Sequence, residues 1–516
     1  MADSLGNPWL SPTRWLPAAL VALALVALPK PPVIDEESYL WLGKNVSFAD
    51  PYAWTRAWQG ESGAVYAHPP LFLWWMKLAS WLEHPAALRL FAGVPFVALY
   101  GWAAALWMRR TTHHPYLAAA ALLGSTTVVL GVQDTLMIDL PYVALLTLAL
   151  AAYREGLEDD KRAWYSIAGC ALGLAVETKY PAALAIPVLM ASPVRPPPLA
   201  FWAPLIGIVG GVEGYLFAVR GEWHPWVVWQ NRELIAHGPL DNRALGTLAR
   251  AALLPVGVSL LLTRPLHIAV GAGLSVVAVA WARPPELSAS SVAFLLGLSA
   301  FGGALLSRAT AGALSPVTRR RKGDRGDSRM LGGIVLVVVG GVVLLHNYAA
   351  ARYLWPAAVP IAILVARSAE EVAQGKRALL ITAAAGALLA LSLALADWKF
   401  AAAHTSVARA VVAAKIETKA FMGEWGFRYV LEADGWQRIE ASEAVAGSLV
   451  VVEDQSGGHV PASWEALERF PGTDRFPLRV VDVRHEAGLY SETLGPLPFT
   501  VADGMLSGAT LYRVGP

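Results

Sequence analysis

The amino-acid sequence predicts a polytopic α-helical membrane protein with a soluble α/β domain at its C-terminal end. Of its 516 residues, 56% are hydrophobic and only 16% are charged, whereas soluble globular proteins carry about 25% charged residues. Long apolar runs recur up to residue 396, and after it the charge density becomes ordinary and glycine-rich turns appear. We therefore predict a membrane domain over 1–396 and a soluble domain over 397–516.

The membrane domain contains about thirteen apolar runs that could cross a bilayer core, which takes roughly 20 helical residues. The first run is followed by Pro29-Lys30-Pro31-Pro32, which is not a signal-peptide cleavage site, so we expect an uncleaved first helix. The predicted spans are 15–29, 86–108, 115–132, 138–153, 163–177, 181–192, 199–218, 245–262, 265–281, 290–306, 330–345, 354–367 and 378–396.

Basic residues predict the orientation, because Lys and Arg in short loops stay on the cytoplasmic side. They cluster in alternate loops, for example at Arg109-Arg110 and at 319–329. This orientation places four segments on the outer face: the long loop 30–85, the loop 219–244, the stretch 346–352 and the C-terminal domain. A net charge of +2 is too small to indicate a nucleic-acid partner.

The C-terminal domain has the length of one small domain. Alternating stretches at Ser448 to Glu453 and Leu478 to Val483 predict strands. The chain's one cysteine, Cys170, lies in an apolar run, so no intrachain disulfide is possible and aromatic packing must supply the core. No glycine-rich loop has the context of a nucleotide site, and no nucleotide cofactor is expected.

Acidic residues directly after the first span are the strongest functional signal. Asp35, Glu36 and Glu37 follow the prolines that end this helix. A carboxylate at a membrane boundary is partly desolvated, which tunes its pKa and suits it to act as a general base. The alternative is a set of solvated loop acids.

Asp139 lies at the predicted outer start of a span, where a carboxylate needs a cation, a metal or a proton. Lys179 and Arg352 are predicted on the same membrane face. Basic groups beside acids suit a phosphate-bearing substrate that is attacked by a deprotonated acceptor. Structural ion pairing among these groups is the competing interpretation.

Histidines on the outer face are weak candidates for a divalent metal ion that bridges a phosphate. They are His68, His224 and His237, with His346 nearby in the predicted topology. Their spacing matches no compact metal motif, and a lone interfacial histidine is more often a hydrogen-bonding group.

Several motifs together resemble one family, the GT-C integral-membrane glycosyltransferases. The resemblance is to the dolichyl-phosphate-mannose protein mannosyltransferase-like group and to the lipid A aminoarabinose transferase. The matching elements are Asp35-Glu36 with Tyr39, His68-Pro69-Pro70-Leu71, Asp139-Leu140-Pro141, Thr178-Lys179-Tyr180, Arg352-Tyr353-Leu354-Trp355-Pro356 and, in the C-terminal domain, residues 423–429.

The resemblance implies transfer of a sugar from a polyprenyl-phosphate donor to a glycan, glycolipid or protein acceptor, usually with inversion. It implies a bacterial-type inner membrane with an extracytoplasmic active site. Asp35 would be the base or would position the acceptor, with Glu36 as a further catalytic acid, and Asp139 would orient the acceptor or a metal. His68, Lys179 and Arg352 would neutralise the leaving phosphate, and Tyr39 and Tyr353 would also bind substrate.

The sequence departs from the aminoarabinose transferase at two positions, since Ser38 replaces an arginine and His68 a lysine. We therefore do not assign that substrate. A transporter or flippase for lipid-linked sugars is the alternative, although the inverted repeats typical of transporters are not evident. A non-catalytic assembly protein would leave the membrane-proximal acids unexplained.

Overall fold

The computed structural model describes residues 11–32, 34–49, 51–52, 68–191, 196–230, 239–254, 265–283, 287–314, 322–346, 348–472 and 474–515, with the backbone alone for 322–326. Within these ranges the main helices are α1 Pro12–Val26, α2 Glu36–Asn45, α3 Leu71–Ala79, α4 Val94–Thr111, α5 Pro115–Leu123, α6 Thr126–Gln133, α7 Asp139–Asp159, α8 Arg162–Val176, α9 Ala185–Met190, α10 Leu199–Arg220, α11 His224–Gln230, α12 Leu240–Ala251, α13 Pro265–Ala282, α14 Ala289–Ala313, α15 Lys322–Leu344, α16 Ala358–Glu371, α17 Gly375–Ala413 and α18 Trp425–Ala433.

Six helices of the described chain are long and apolar enough to cross a membrane, or seven if the bent pair α5–α6 counts as one span. The protein is therefore an integral membrane protein. The number of thirteen spans stays a prediction, because several apolar runs form shorter helices; α9 has only 6 residues and α12 only 12.

The bend between α5 and α6 is 67°. It lies at Gly124, where a Cβ atom would come within 2.7 Å of the Ala383 carbonyl oxygen on α17, so glycine permits this close approach. Ser125 Oγ donates a hydrogen bond to the Leu253 carbonyl 3.2 Å away. The turn sends α6 toward the interior, where it ends beside buried Asp134.

The membrane core is formed mainly by contacts among α1, α4, α7, α8 and α10. Its largest buried aromatic side chains include Trp107, Tyr100 and Trp355. Tyr100 and Trp355 meet edge to face with ring centroids 5.4 Å apart, which connects α4 to the turn Ala351–Ala357.

The long helix α17 passes from the membrane domain into the C-terminal domain. The predicted boundary at residue 396 falls inside it, since the helix continues to Ala413 and the first strand begins at Ala420.

The described part of the C-terminal domain contains nine short strands: β1 Ala420–Met422, β2 Gln437–Arg438, β3 Leu449–Glu453, β4 Glu465–Pro471, β5 Leu478–Arg479, β6 Val481–Asp482, β7 Ala487–Gly488, β8 Thr500–Val501 and β9 Gly508–Arg513. A five-stranded sheet has the order β2-β1-β3-β9-β4, in which β1 pairs parallel with both neighbours and β9 pairs antiparallel with β3 and β4. Both predicted alternating stretches form strands.

The core of this sheet contains the aromatic residues Phe427, Trp436 and Phe470, packed against Val407 and Val411 of α17, as expected for a core that aromatic packing supplies. The C-terminal domain thus shares a hydrophobic core with α17, and this contact fixes its position on the membrane domain.

Candidate active site

Four charged residues from distant parts of the sequence meet at one end of the membrane domain. Asp35 directly precedes α2, and Asp139 is the first residue of α7. Lys179 follows α8, and Arg352 lies in the 3₁₀ turn Ala351–Ala357. None lies in the middle of a helix, so packing of the helices rather than local periodicity brings them together.

The four side chains form a continuous chain of opposite charges. Lys179 Nζ lies 2.6 Å from Asp139 Oδ1, and Arg352 Nε lies 3.4 Å from Asp139 Oδ2. Arg352 Nη2 lies 2.7 Å from Asp35 Oδ2. The Asp139 and Lys179 side chains are each 3% exposed, whereas that of Asp35 is 42% exposed. The chain therefore leads from a buried ion pair to an accessible carboxylate.

Aromatic rings surround the two cations. The ring of Tyr353 is centred 4.4 Å from Lys179 Nζ and stacks on His346, with centroids 4.2 Å apart. The Tyr348 hydroxyl accepts a hydrogen bond of 3.0 Å from Arg352 Nη2. Sequence reasoning did not single out Tyr348, and its spacing of four residues from Arg352 is the only local signal for this contact.

The surroundings of the two histidines beside the cations favour their neutral forms. Burial, together with the positive charge of Lys179, lowers the pKa of His68 well below its usual value, although part of the side chain is exposed. The same two causes lower the pKa of His346 to about 3. Burial also lowers the pKa of Lys179, against the attraction of Asp139. The most persistent positive charge in the site is therefore that of Arg352.

Two cavities adjoin this charged chain. An apolar groove is lined by residues that include Tyr142, Leu184, Ile334, Val338, His346 and Tyr353. A second cavity is lined by residues that include Thr127, Asp134, Asp139, Arg352, Trp355 and Tyr490. Arg352 and Tyr353, which are adjacent in the sequence, thus line different cavities.

Glu36 points away from the four charged residues. Its buried carboxylate lies 2.6 Å from Arg89 Nη2. Arg89 also donates to the Leu28 carbonyl oxygen, 3.1 Å away, and to that of Lys30. This geometry favours a structural role for Glu36 in fixing the turn after α1, in contrast to the predicted catalytic one.

Tyr39 also lies apart from the charged chain. It is buried in a hydrophobic cluster and meets Phe72 edge to face, with ring centroids 5.1 Å apart. The Tyr39 side chain thus helps to pack α2 against α3. Its predicted role in substrate binding stays a prediction.

A second buried ion cluster, which sequence reasoning did not predict, lies next to the site. Lys30 Nζ bridges Asp134 and Asp397, and the Tyr490 hydroxyl donates to Asp134 Oδ2 at 3.0 Å. The signal available in the sequence was Lys30 itself, a lone cation between the prolines that end the first span.

The metal candidates do not converge in the described part of the chain, where no group of three or more His, Cys, Asp or Glu side chains could hold a metal ion. His224 Nδ1 lies 2.6 Å from the Tyr180 hydroxyl, and the His224 ring stacks on Tyr52. His237 lies outside the described residues.

The comparisons with known proteins agree with the predicted resemblance over part of the chain. Residues 67–209 match the family of dolichyl-phosphate-mannose-protein mannosyltransferases. The matched segment contains His68, Asp139 and Lys179 but not Asp35 or Arg352. A search of curated proteins finds no match.

Two crystal structures of ArnT from Cupriavidus metallidurans are similar to this chain. The structure bound to undecaprenyl phosphate is 12% identical, with a TM-score of 0.38 over 81% of this chain and 84% of that chain. The apo structure is 14% identical, with a TM-score of 0.33 over 80% and 83% of the two chains.

Proposed function

We propose that this protein is a membrane glycosyltransferase that moves a sugar, a hexose or a pentose, from a polyprenyl-phosphate donor to a hydroxyl or amine acceptor. The observation that carries the proposal is the chain Asp35–Arg352–Asp139–Lys179 beside an apolar groove. The family match over residues 67–209 supports it. We place the reaction on the extracytoplasmic face, following the distribution of basic loops.

The donor phosphate binds to the two cations. Arg352 offers a planar guanidinium that suits two phosphate oxygens, and Lys179 adds an ammonium point charge. Before the donor binds, these cations are paired with Asp35 and Asp139. The phosphate therefore competes with the two carboxylates for the hydrogen-bonding groups of Arg352 and Lys179.

This competition for Arg352 explains how Asp35 becomes available as a general base. When Arg352 turns to the phosphate, the accessible Asp35 carboxylate loses its partner and is free to accept the proton of the acceptor. The acceptor atom then attacks the anomeric carbon as the bond from that carbon to the phosphate oxygen breaks. A single displacement inverts the anomeric configuration, and Arg352 and Lys179 stabilise the charge on the departing polyprenyl phosphate.

The polyprenyl chain binds in the apolar groove that begins at Tyr353. Each methylene buried there contributes about 0.8 kcal/mol. His346 lines this groove, and its ring is neutral because its pKa is low. Binding of the lipid chain therefore does not remove water from a charged group at this position. A lipid tail placed in this groove brings its phosphate beside Lys179, because Lys179 Nζ lies over the Tyr353 ring.

A divalent metal ion bridging the phosphate remains a separate proposal. Its test is transfer activity after exhaustive chelation: full activity rules out an exchangeable metal, and recovery on adding one divalent cation identifies it. His237→Ala is the variant that would then test the remaining histidine candidate.

The central experiment compares envelope glycans and lipid-linked sugars by mass spectrometry in cells with the native protein, a deletion, or Asp35→Asn. We expect both mutants to lose one glycan linkage and to accumulate one polyprenyl-phosphate sugar, which would identify donor and acceptor. A deletion phenotype that Asp35→Asn does not share would instead favour the transporter or assembly protein.

A further inference from the structure

We propose that the C-terminal domain completes the active site, and that its Tyr490 is a positioning residue that holds Arg352 in place for the donor phosphate. The expected effect on donor binding rests on the proposed function, whereas the contact between Tyr490 and Arg352 can be tested without transfer activity. Three independent sets of contacts support the proposal.

The first set joins the C-terminal domain to the backbone directly before Arg352. Ala351 N donates to the Leu489 carbonyl at 3.1 Å, and Glu492 N donates to the Ala349 carbonyl at the same distance. The Glu492 carboxylate also accepts a hydrogen bond from Ala349 N. Residues 489–492 thus bind residues 349–351 much as a neighbouring strand would.

The second set holds this segment of the C-terminal domain against the membrane domain. The fully buried Arg250 of α12 donates to three carbonyl oxygens of the domain, those of Gly488, Gly495 and Pro496. Leu489 N donates to the Val480 carbonyl at 2.9 Å within the domain. The segment therefore has partners on both sides, and a buried arginine left without them would be costly.

The third set places Tyr490 between the charged chain and the buried cluster of Lys30. Its ring is centred 5.9 Å from Arg352 Cζ, and its hydroxyl donates to Asp134 at 3.0 Å. Tyr490, Arg352 and Asp134 line the same cavity. The ring, rather than the hydroxyl, lies beside the guanidinium and limits the positions open to it.

The cavity beside Arg352 contains polar atoms that could receive a ligand. Among the described residues, Thr127 Oγ1 and Arg352 Nη1 are buried without a hydrogen-bond partner. Buried polar atoms are normally satisfied. Arg352, which lines this cavity, thus has an unused donor, and Tyr490 of the C-terminal domain lines the same cavity.

The test uses the purified full-length protein and two substitutions that separate the ring of Tyr490 from its hydroxyl. Tyr490→Phe keeps the ring over Arg352 and loses the hydrogen bond to Asp134. Tyr490→Leu loses both. If the leucine variant does not purify as a single species, Tyr490→Met is used in its place, because methionine also lacks a ring and fills a similar volume.

The first readout is the rate at which phenylglyoxal modifies Arg352, followed by peptide mass spectrometry. We expect Tyr490→Leu to raise this rate about two- to thirtyfold, the range of a lost cation–π contact, and Tyr490→Phe to leave it near that of the native protein. The exposed Arg469 is the internal control, and Tyr512→Leu on strand β9 is the control for a tyrosine lost elsewhere in the domain.

The second readout is binding of undecaprenyl phosphate, measured by native mass spectrometry. We expect Tyr490→Leu to weaken it by a similar factor and Tyr490→Phe to retain it. An unchanged Arg352 modification rate in Tyr490→Leu, or an equal rise in Tyr512→Leu, would overturn the inference. If the native protein binds no undecaprenyl phosphate, the proposed function fails while the modification rates still decide the role of Tyr490.

Discussion

Asp35 Oδ2 and Arg352 Nη2 lie 2.7 Å apart, although 317 positions of sequence separate the two residues. One precedes the second helix and the other follows the fifteenth. Their contact joins an accessible acid to the guanidinium that also pairs with buried Asp139. Whatever displaces Arg352 therefore changes the surroundings of Asp35, and in the proposed reaction this would link donor binding to activation of the acceptor.

Replacing Asp35 tests the general base. Asp35→Asn should lower transfer about a hundred- to ten-thousandfold, because the amide cannot accept the acceptor proton. The melting temperature should change little, since the side chain is 42% exposed. Turnover and melting temperature are measured on the purified protein.

Asp160→Asn is the matched control for this charge change. Asp160 has φ of 52°, a conformation that asparagine tolerates, and it lies at the end of α7 away from Asp139. Near-native turnover in Asp35→Asn would remove Asp35 from the site.

Replacing Asp139 should affect stability and activity together. Asp139→Asn leaves Lys179 and Arg352 facing a neutral group in a buried place, and breaking a buried pair in this way costs about 3–5 kcal/mol. We expect a lower melting temperature in addition to loss of transfer. A variant with native thermal stability would show that this pair is not buried as described.

Lys179 should act on the donor more than on the acceptor. Lys179→Met keeps the length of the side chain but removes the charge, so we expect binding of a polyprenyl-phosphate sugar to weaken about ten- to hundredfold. The acceptor KM should stay near its native value. The comparison is made in donor and acceptor titrations of the same preparation, and equal effects on both substrates would contradict the assignment.

The Glu36–Arg89 pair should be structural. Arg89→Met leaves a buried carboxylate without its cation and should destabilise the protein by about 3–5 kcal/mol. Adding Glu36→Leu should recover much of that loss, because two apolar groups need no partner. Melting temperatures of the two single variants and the double variant measure the coupling, and additive effects would mean that the pair is not formed.

Glu37 should make stability depend on pH. Burial, reinforced by the negative charge of Asp35, raises the pKa of this carboxyl well above its usual value. As pH rises above about 4.3, the unfolded carboxyl loses its proton while the folded one keeps it, so stability falls until the raised pKa is passed.

Glu37→Gln mimics the protonated form and should remove this part of the pH dependence. We expect the variant to match the native melting temperature near pH 4 and to exceed it near pH 8. Parallel curves for the two proteins across that range would show that the folded carboxyl is ionised.

The three consecutive acids show how far the sequence could predict the site. Their position after a helix that ends in prolines indicated a functional carboxylate, and Asp35 does join the charged chain. Glu36 and Glu37 instead face Arg89 and the C-terminal domain. Successive residues at the start of a helix point in directions about 100° apart, so only the packing of α2 could select among them.

The sequence by itself determined the features that depend on composition and order: an integral membrane domain, a C-terminal sheet, and acids and cations placed at helix ends. Hydrophobic runs and strand alternation are local, so they can be read along the chain. Only the tertiary structure decided that Asp139 holds both Lys179 and Arg352, that Lys30 bridges two aspartates, and that Tyr490 reaches the site. These contacts depend on how the helices pack against one another and on the C-terminal domain, and no local pattern encodes such distances.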